Sequence, residues 1–122
     1  MSDGEEKPDG FSFAGIVAGL KDSKKKDLAL ILAPKNSICT GLFTQSTVRA
    51  SCVDICEQRI KKSSGQIRAI LINSGQANAC TGDFGTQHTL IATKEVSQLL
   101  GINEEEVLMC STGVIGIPIQ IK

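Results

Sequence analysis

The residues best suited to chemistry lie where the apolar run VLMC (107–110) opens into Ser111-Thr112-Gly113, within the block CSTGVIG (110–116). Thr112 brings a hydroxyl, and Gly113 brings a backbone N–H that no Cβ shields. Two such donors, held in place beforehand, stabilise the oxyanion of a tetrahedral acyl-transfer intermediate by roughly 3–4 kcal/mol each. Many strands also end in Thr-Gly and do no chemistry, so the residue types alone leave both readings open. A second candidate is NSGQANACTG (73–82), small and polar residues that directly follow an apolar strand. Such a loop suits a ligand at a strand end of an α/β sheet, and it equally suits a plain strand–helix connection.

Other reactive side chains point to less. Cys52 and Cys56 stand four apart on a predicted helix. With no Cys-x-x-Cys pair and His88 as the one imidazole, they read as buried thiols rather than zinc ligands. No nucleophile stands beside His88 in the sequence, so it reads as a helix-surface or core residue. Asn103 followed by Glu106 resembles a capping box, and the acidic residues 104–106 suit a helix start. The glycines at 10, 15 and 19 fit neither phosphate-binding pattern, because Leu20 follows Gly19 where a P-loop has lysine and no strong strand precedes them. They read as a glycine-rich edge strand.

A chain of 122 residues must position these groups, enough for one modest domain. Its core lacks Trp and Tyr and has four Phe, so packing rests on Ile, Leu, Val, Ala and Cys. Thirteen Lys and Arg balance thirteen Asp and Glu, which leaves no basic footprint for nucleic acid. No apolar run reaches the length of a membrane span. The five cysteines are odd in number and mostly sit in hydrophobic stretches, which suits free thiols in a reducing, cytoplasmic setting. Residues 1–9 read as a polar, flexible leader without the apolar region of a signal peptide, and residues 10–122 as the domain.

Along that domain, KDSKKKD (21–27) reads as a solvated charged turn. LALILA (28–33) and ICTGLFT (38–44) read as a hairpin of two buried strands around Pro34-Lys-Asn-Ser. Apolar residues at helical intervals predict a helix over 50–60, with Lys61 and Lys62 in its last turn and a break at Gly65. QIRAILINSG (66–75) is the clearest strand. A second helix is expected over 83–100, with His88, Ala92, Val96 and Leu99 on one face and Gly101 as its cap. VLMCS (107–111) is the last strand. Strands alternating with helices define an α/β or α+β fold, a layered sheet-and-helix arrangement.

Taken in order, GF…AGIVAGLK, DLALIL, GLFTQSTVRA, RAILINSGQANACTG and CSTGVIG resemble the N-terminal part of the ornithine acetyltransferase (glutamate N-acetyltransferase) family, from Gly10 to Gly116. The resemblance implies the fold shared with self-cleaving aminopeptidases. It also implies an arginine-pathway enzyme that moves acetyl from N-acetylornithine to glutamate; some members also use acetyl-CoA as a substrate, and no bound cofactor is implied. In that family the precursor cleaves itself before a threonine, which becomes the nucleophile at the N-terminus of a β chain. The family's oxyanion hole maps onto Thr112 and Gly113. The expected assembly is an α₂β₂ heterotetramer. This sequence contains no Thr-Thr pair of the kind that holds the nucleophile, so it reads as an N-terminal portion of the α chain, expected to be inactive alone. A self-cleaving aminopeptidase of similar fold and a non-catalytic binding module are the competing readings.

Overall fold

A computed structural model describes residues 6–79 and 82–115. Residues 1–5 of the expected leader, Cys80 and Thr81 of the polar loop, and residues 116–122 lie outside the described residues. Four strands, β1 (Ser12–Ile16), β2 (Leu28–Leu32), β3 (Ala69–Gln76) and β4 (Val107–Val114), form one mixed sheet in the order β1-β2-β3-β4. The first two pairs are antiparallel and β3–β4 is parallel. Helix α1 (Ser51–Lys62) precedes β3, and α2 (Gly82–Leu100) with a 3₁₀ turn (Glu104–Glu106) links β3 to β4, as a parallel pair requires. The α/β to α+β expectation holds, and the glycine-rich segment does form an edge strand.

The period-2 pattern of β3 places Ala69, Leu71 and Asn73 on the helix-covered face and Ile70, Ile72 and Ser74 on the other. Leu71 and its register partner Met109 pack with Cys52, Val53, Ala92 and Val96 from the helices. A second cluster joins Cys56, Ile67 and Leu108, with Phe43 and Ile60 against it. Burial pushes the Cys56 thiol up to about 11, so it stays protonated and donates to the Met109 carbonyl at 3.2 Å.

That bond is one of a series along the outer edge of β4. Arg59 Nη1 donates to the Val107 carbonyl at 2.8 Å, and Cys52 lies against the N–H and hydroxyl of Ser111. Residues 52, 56 and 59 of α1 thus cover the edge carbonyls and N–H groups of residues 111, 109 and 107. An uncovered sheet edge would template pairing with another chain, and α1 removes that hazard along the first half of β4.

Four expectations need correction. Residues 38–44 form no strand, because β1 and β3 already occupy both edges of β2. The segment is instead tied to the end of α1, with the Cys39 N–H donating to the Gly65 carbonyl at 2.6 Å. On α2, Leu99 is 84% exposed, and the fully buried stripe is Gly85, Thr89, Thr93 and Ser97, one position on from the face expected. These small residues let α2 approach closely, their hydroxyls bonding back to carbonyls of the helix itself. Asn103 makes no side-chain cap; the Glu106 N–H meets its backbone carbonyl, while Glu104 and Glu105 pair with Arg59 and Lys62 of α1. The 21–27 segment is not wholly solvated, because Asp27 is buried. By contrast Gly101 ends α2 as expected, with Ile102 N–H donating to Ser97 and Gly101 N–H to Gln98.

Candidate active site at the paired strand ends

The sequence suggests that β4 stops before Thr112. In the structure it runs on through Thr112 and Gly113 to Val114, with Thr112 opposite Ser74 and Gly113 opposite Gly75. Gly113 has φ 131° and Gly75 φ 139°, a backbone region that favours glycine. The two glycines pass so closely that a Cβ on Gly113 would run into the Gly75 peptide. On the far side of Gly75, a Cβ would stand 2.7 Å from the Leu20 carbonyl oxygen. Three backbones, those of Leu20, Gly75 and Gly113, are therefore stacked without intervening side chains.

In a parallel ladder the peptide groups of alternate residues face alternate neighbours. Val114 offers its carbonyl to the Ala77 N–H, and Glu106 to the Arg68 N–H, so even-numbered residues of β4 face β3. Residues 107, 109 and 111 face α1. By the same alternation the Gly113 N–H turns outward, at the part of the edge beyond the first residues of α1. Thr112 is exposed, and its side chain shares the helix-free face with Ser74. The two donors singled out in the sequence thus stand together at a strand edge that the described residues leave exposed.

Beneath them lies a set of buried amides that residue types alone did not identify. Asn73, 1% exposed, accepts the Ser111 hydroxyl across the strand pair and donates to the Gln76 carbonyl at 3.2 Å. Asn78, also 1% exposed and at φ 57°, accepts the Cys52 N–H at 3.1 Å and donates to the Gly85 carbonyl at 3.0 Å. It thereby caps α1, which has no side-chain cap of its own, and ties both helices to the end of β3. These contacts tie the first part of the polar loop to strand and helix ends. Gln76 donates to the Leu20 carbonyl at 3.3 Å, and its Oε1 is buried without a partner.

Asp27 was the other residue hidden in the sequence, as the last member of a charged run. It is 3% exposed, and its carboxylate accepts the N–H groups of Ala18, Leu20 and Lys21 at 2.6, 2.7 and 3.1 Å. Those donors, Ala18 foremost, hold its carboxyl below the ordinary value against the cost of burial. His88 is half-buried on α2 beside Phe84. Cys52 and Cys56 are buried, and among the described residues no three His, Cys, Asp or Glu side chains group to hold a metal ion. No helix among the described residues is long and apolar enough to cross a membrane.

A mixed four-stranded sheet with helices packed on one face is the fold to which the comparisons point. The ArgJ family model matches residues 12–122, and the chain belongs to that family. It is 93% identical over its whole length to the arginine biosynthesis bifunctional protein ArgJ of Prochlorococcus marinus subsp. pastoris. It is 48% identical over 94% of its length to the same-named protein of Synechocystis sp.. The chain spans about 30% of the length of these relatives. Among solved structures, ArgJ of Bacillus halodurans matches at TM-score 0.86 and 33% identity, over 91% of this chain and 57% of that one. Ornithine acetyltransferase of Mycobacterium tuberculosis, solved with ornithine, matches at TM-score 0.86 and 38% identity, over 91% of this chain and 60% of that one.

Proposed function

We propose that this chain is part of an acetyltransferase of arginine biosynthesis that moves acetyl from N-acetylornithine to glutamate through an acetyl-threonine enzyme. In this reading the chain supplies the oxyanion hole and a β chain supplies the N-terminal threonine nucleophile, in a cytoplasmic α₂β₂ assembly. Some members of the family also use acetyl-CoA as a substrate, and assay of the complete enzyme with acetyl-CoA and glutamate decides whether this one does.

The observation that supports the reading is that Thr112 and Gly113 stand on a strand edge left exposed by the described residues. An acyl oxygen lying off the β4 edge, on the helix-free side, meets the Thr112 hydroxyl and the outward Gly113 N–H together. As the carbonyl becomes tetrahedral, negative charge gathers on that oxygen, and both donors strengthen as it does. Neither donor has to reorganise, because the stack of Leu20, Gly75 and Gly113 already fixes the strand end. Gly113 is required on the inner side, where a Cβ would run into the Gly75 peptide.

In the full-length enzyme, Thr112→Ala should lower kcat by about 10²–10³-fold with KM for N-acetylornithine little changed, the pattern of an interaction made in the transition state. An unchanged kcat would remove the oxyanion assignment. The 122-residue chain alone should form no N-acetylglutamate from N-acetylornithine and glutamate, and product formed by it would refute the division of the site between two chains.

A further inference from the structure

Asp27 sits outside the proposed oxyanion hole, yet it holds more of the surrounding backbone than any other described carboxylate. Its N–H donates to the Ile16 carbonyl at 3.0 Å, which fixes the end of β1. Its own carbonyl accepts the Ser74 N–H at 2.8 Å, which fixes it to β3 one residue before Gly75. Its carboxylate gathers three consecutive-turn N–H groups of the 17–21 loop. A single residue therefore clamps a loop to a strand through both its backbone and its side chain.

The loop so held has one task that the structure makes visible. Leu20 presents its carbonyl to Gln76 Nε2 and lies directly against Gly75, on the side opposite Gly113. Gly75 has no side chain to absorb a shift, and neither has Gly113, so a movement of Leu20 passes from backbone to backbone. Charge-assisted bonds from a buried carboxylate are shorter and stronger than neutral ones, which suits a part that must not move. Val17, Ala18, Gly19 and Lys21 of the loop are exposed, and Leu20 is half-buried.

We infer that Asp27 is a positioning residue for acyl transfer, holding the 17–21 loop against Gly75 so that the Gly113 N–H stays aimed at the oxyanion. The inference rests on the oxyanion reading of Thr112 and Gly113. Asp27 touches no substrate and acts only through Leu20 and Gly75, with Gln76 as a second link in the same contact.

The test uses the full-length, self-cleaved enzyme, with kcat referred to the number of sites that form acetyl-enzyme. Asp27→Asn keeps the shape and loses the charge; kcat per competent site should fall by about tenfold or more, with KM for N-acetylornithine within about twofold. A residue needed only for folding would lower the number of competent sites and leave kcat per site unchanged. Combined with Thr112→Ala, Asp27→Asn should still lower kcat per competent site, since the Gly113 N–H that it positions is the donor left in place. Gln76→Met removes the bond to Leu20 together with a buried oxygen that has no partner, so it should fold, and it should show the same pattern at smaller amplitude. If Asp27→Asn yields no folded enzyme, Gln76→Met decides the matter by itself. Unchanged kcat per site in these variants overturns the inference while the oxyanion reading stands. If Thr112→Ala alone leaves kcat unchanged, both fall together.

Discussion

Thr112 and Gly113 are neighbours with opposite constraints. Thr112 is exposed, and replacing it by alanine should change folding stability by no more than about 0.5 kcal/mol, whatever it does to turnover. Gly113 sits at φ 131° against the Gly75 peptide. Gly113→Ala should therefore cost at least about 1–3 kcal/mol from backbone strain, before the overlap with Gly75 is added. Denaturant unfolding of the two variants checks the contrast, and equal midpoints would contradict the geometry. Asp27 makes a further prediction at this scale. Its carboxyl is held below the ordinary value of 3.8, so the stability it contributes is complete above that value and lost as pH falls through the lower folded value. Asp27→Asn should thus be destabilised at neutral pH, and its difference from the parent should shrink in acid unfolding curves as pH falls below 3.8.

The elements meet through a few buried polar side chains. Asn78 joins β3, α1 and α2, and Asn78→Ala leaves the Cys52 N–H and the Gly85 carbonyl without this partner. The loss should be about 2–4 kcal/mol, read by chemical denaturation. Arg59 holds α1 to the edge of β4, and Arg59→Leu, which strands the Val107 carbonyl, should cost about 1–3 kcal/mol in the same measurement. The helices themselves were legible, because a 3.6-residue period and a terminal glycine are local signals; both ends of α2 fall within a residue of expectation. The supposed hairpin at 28–44 was not. An apolar run such as ICTGLFT says that it seeks cover, but pairing depends on which strand edges remain vacant, and that is decided by β1 and β3. The buried stripe of α2 was missed for a related reason: Thr89, Thr93 and Ser97 look polar in sequence, yet each hydroxyl is satisfied within its own helix.

At the scale of the molecule, the helices cover one face of the sheet. The other carries Phe13, Ala29, Ile31, Ile70 and Ile72, half-buried, and shallow apolar hollows of about 330 and 380 Å³ lie over it. The isolated 122-residue chain should accordingly bind an environment-sensitive hydrophobic dye, and Ile31→Lys, in the middle of that face, should weaken the signal. Absence of dye binding would mean that the face is closed in solution.

By itself the sequence determined the local order of this protein: two helices with their ends, the apolar strands, and five ordered blocks that mark the family. It also marked Thr112 and Gly113, because a hydroxyl beside a glycine after an apolar run is a local arrangement. Only the tertiary structure decided that these two residues lie inside a strand rather than beyond it, with the Gly113 N–H turned away from β3. It alone made Asp27 and Asn78 buried posts, since burial follows from what other segments bring over a residue. Hydrogen-bond partners from 7 to 26 positions away, such as Leu20 for Asp27 and Cys52 for Asn78, leave no mark on the neighbouring sequence.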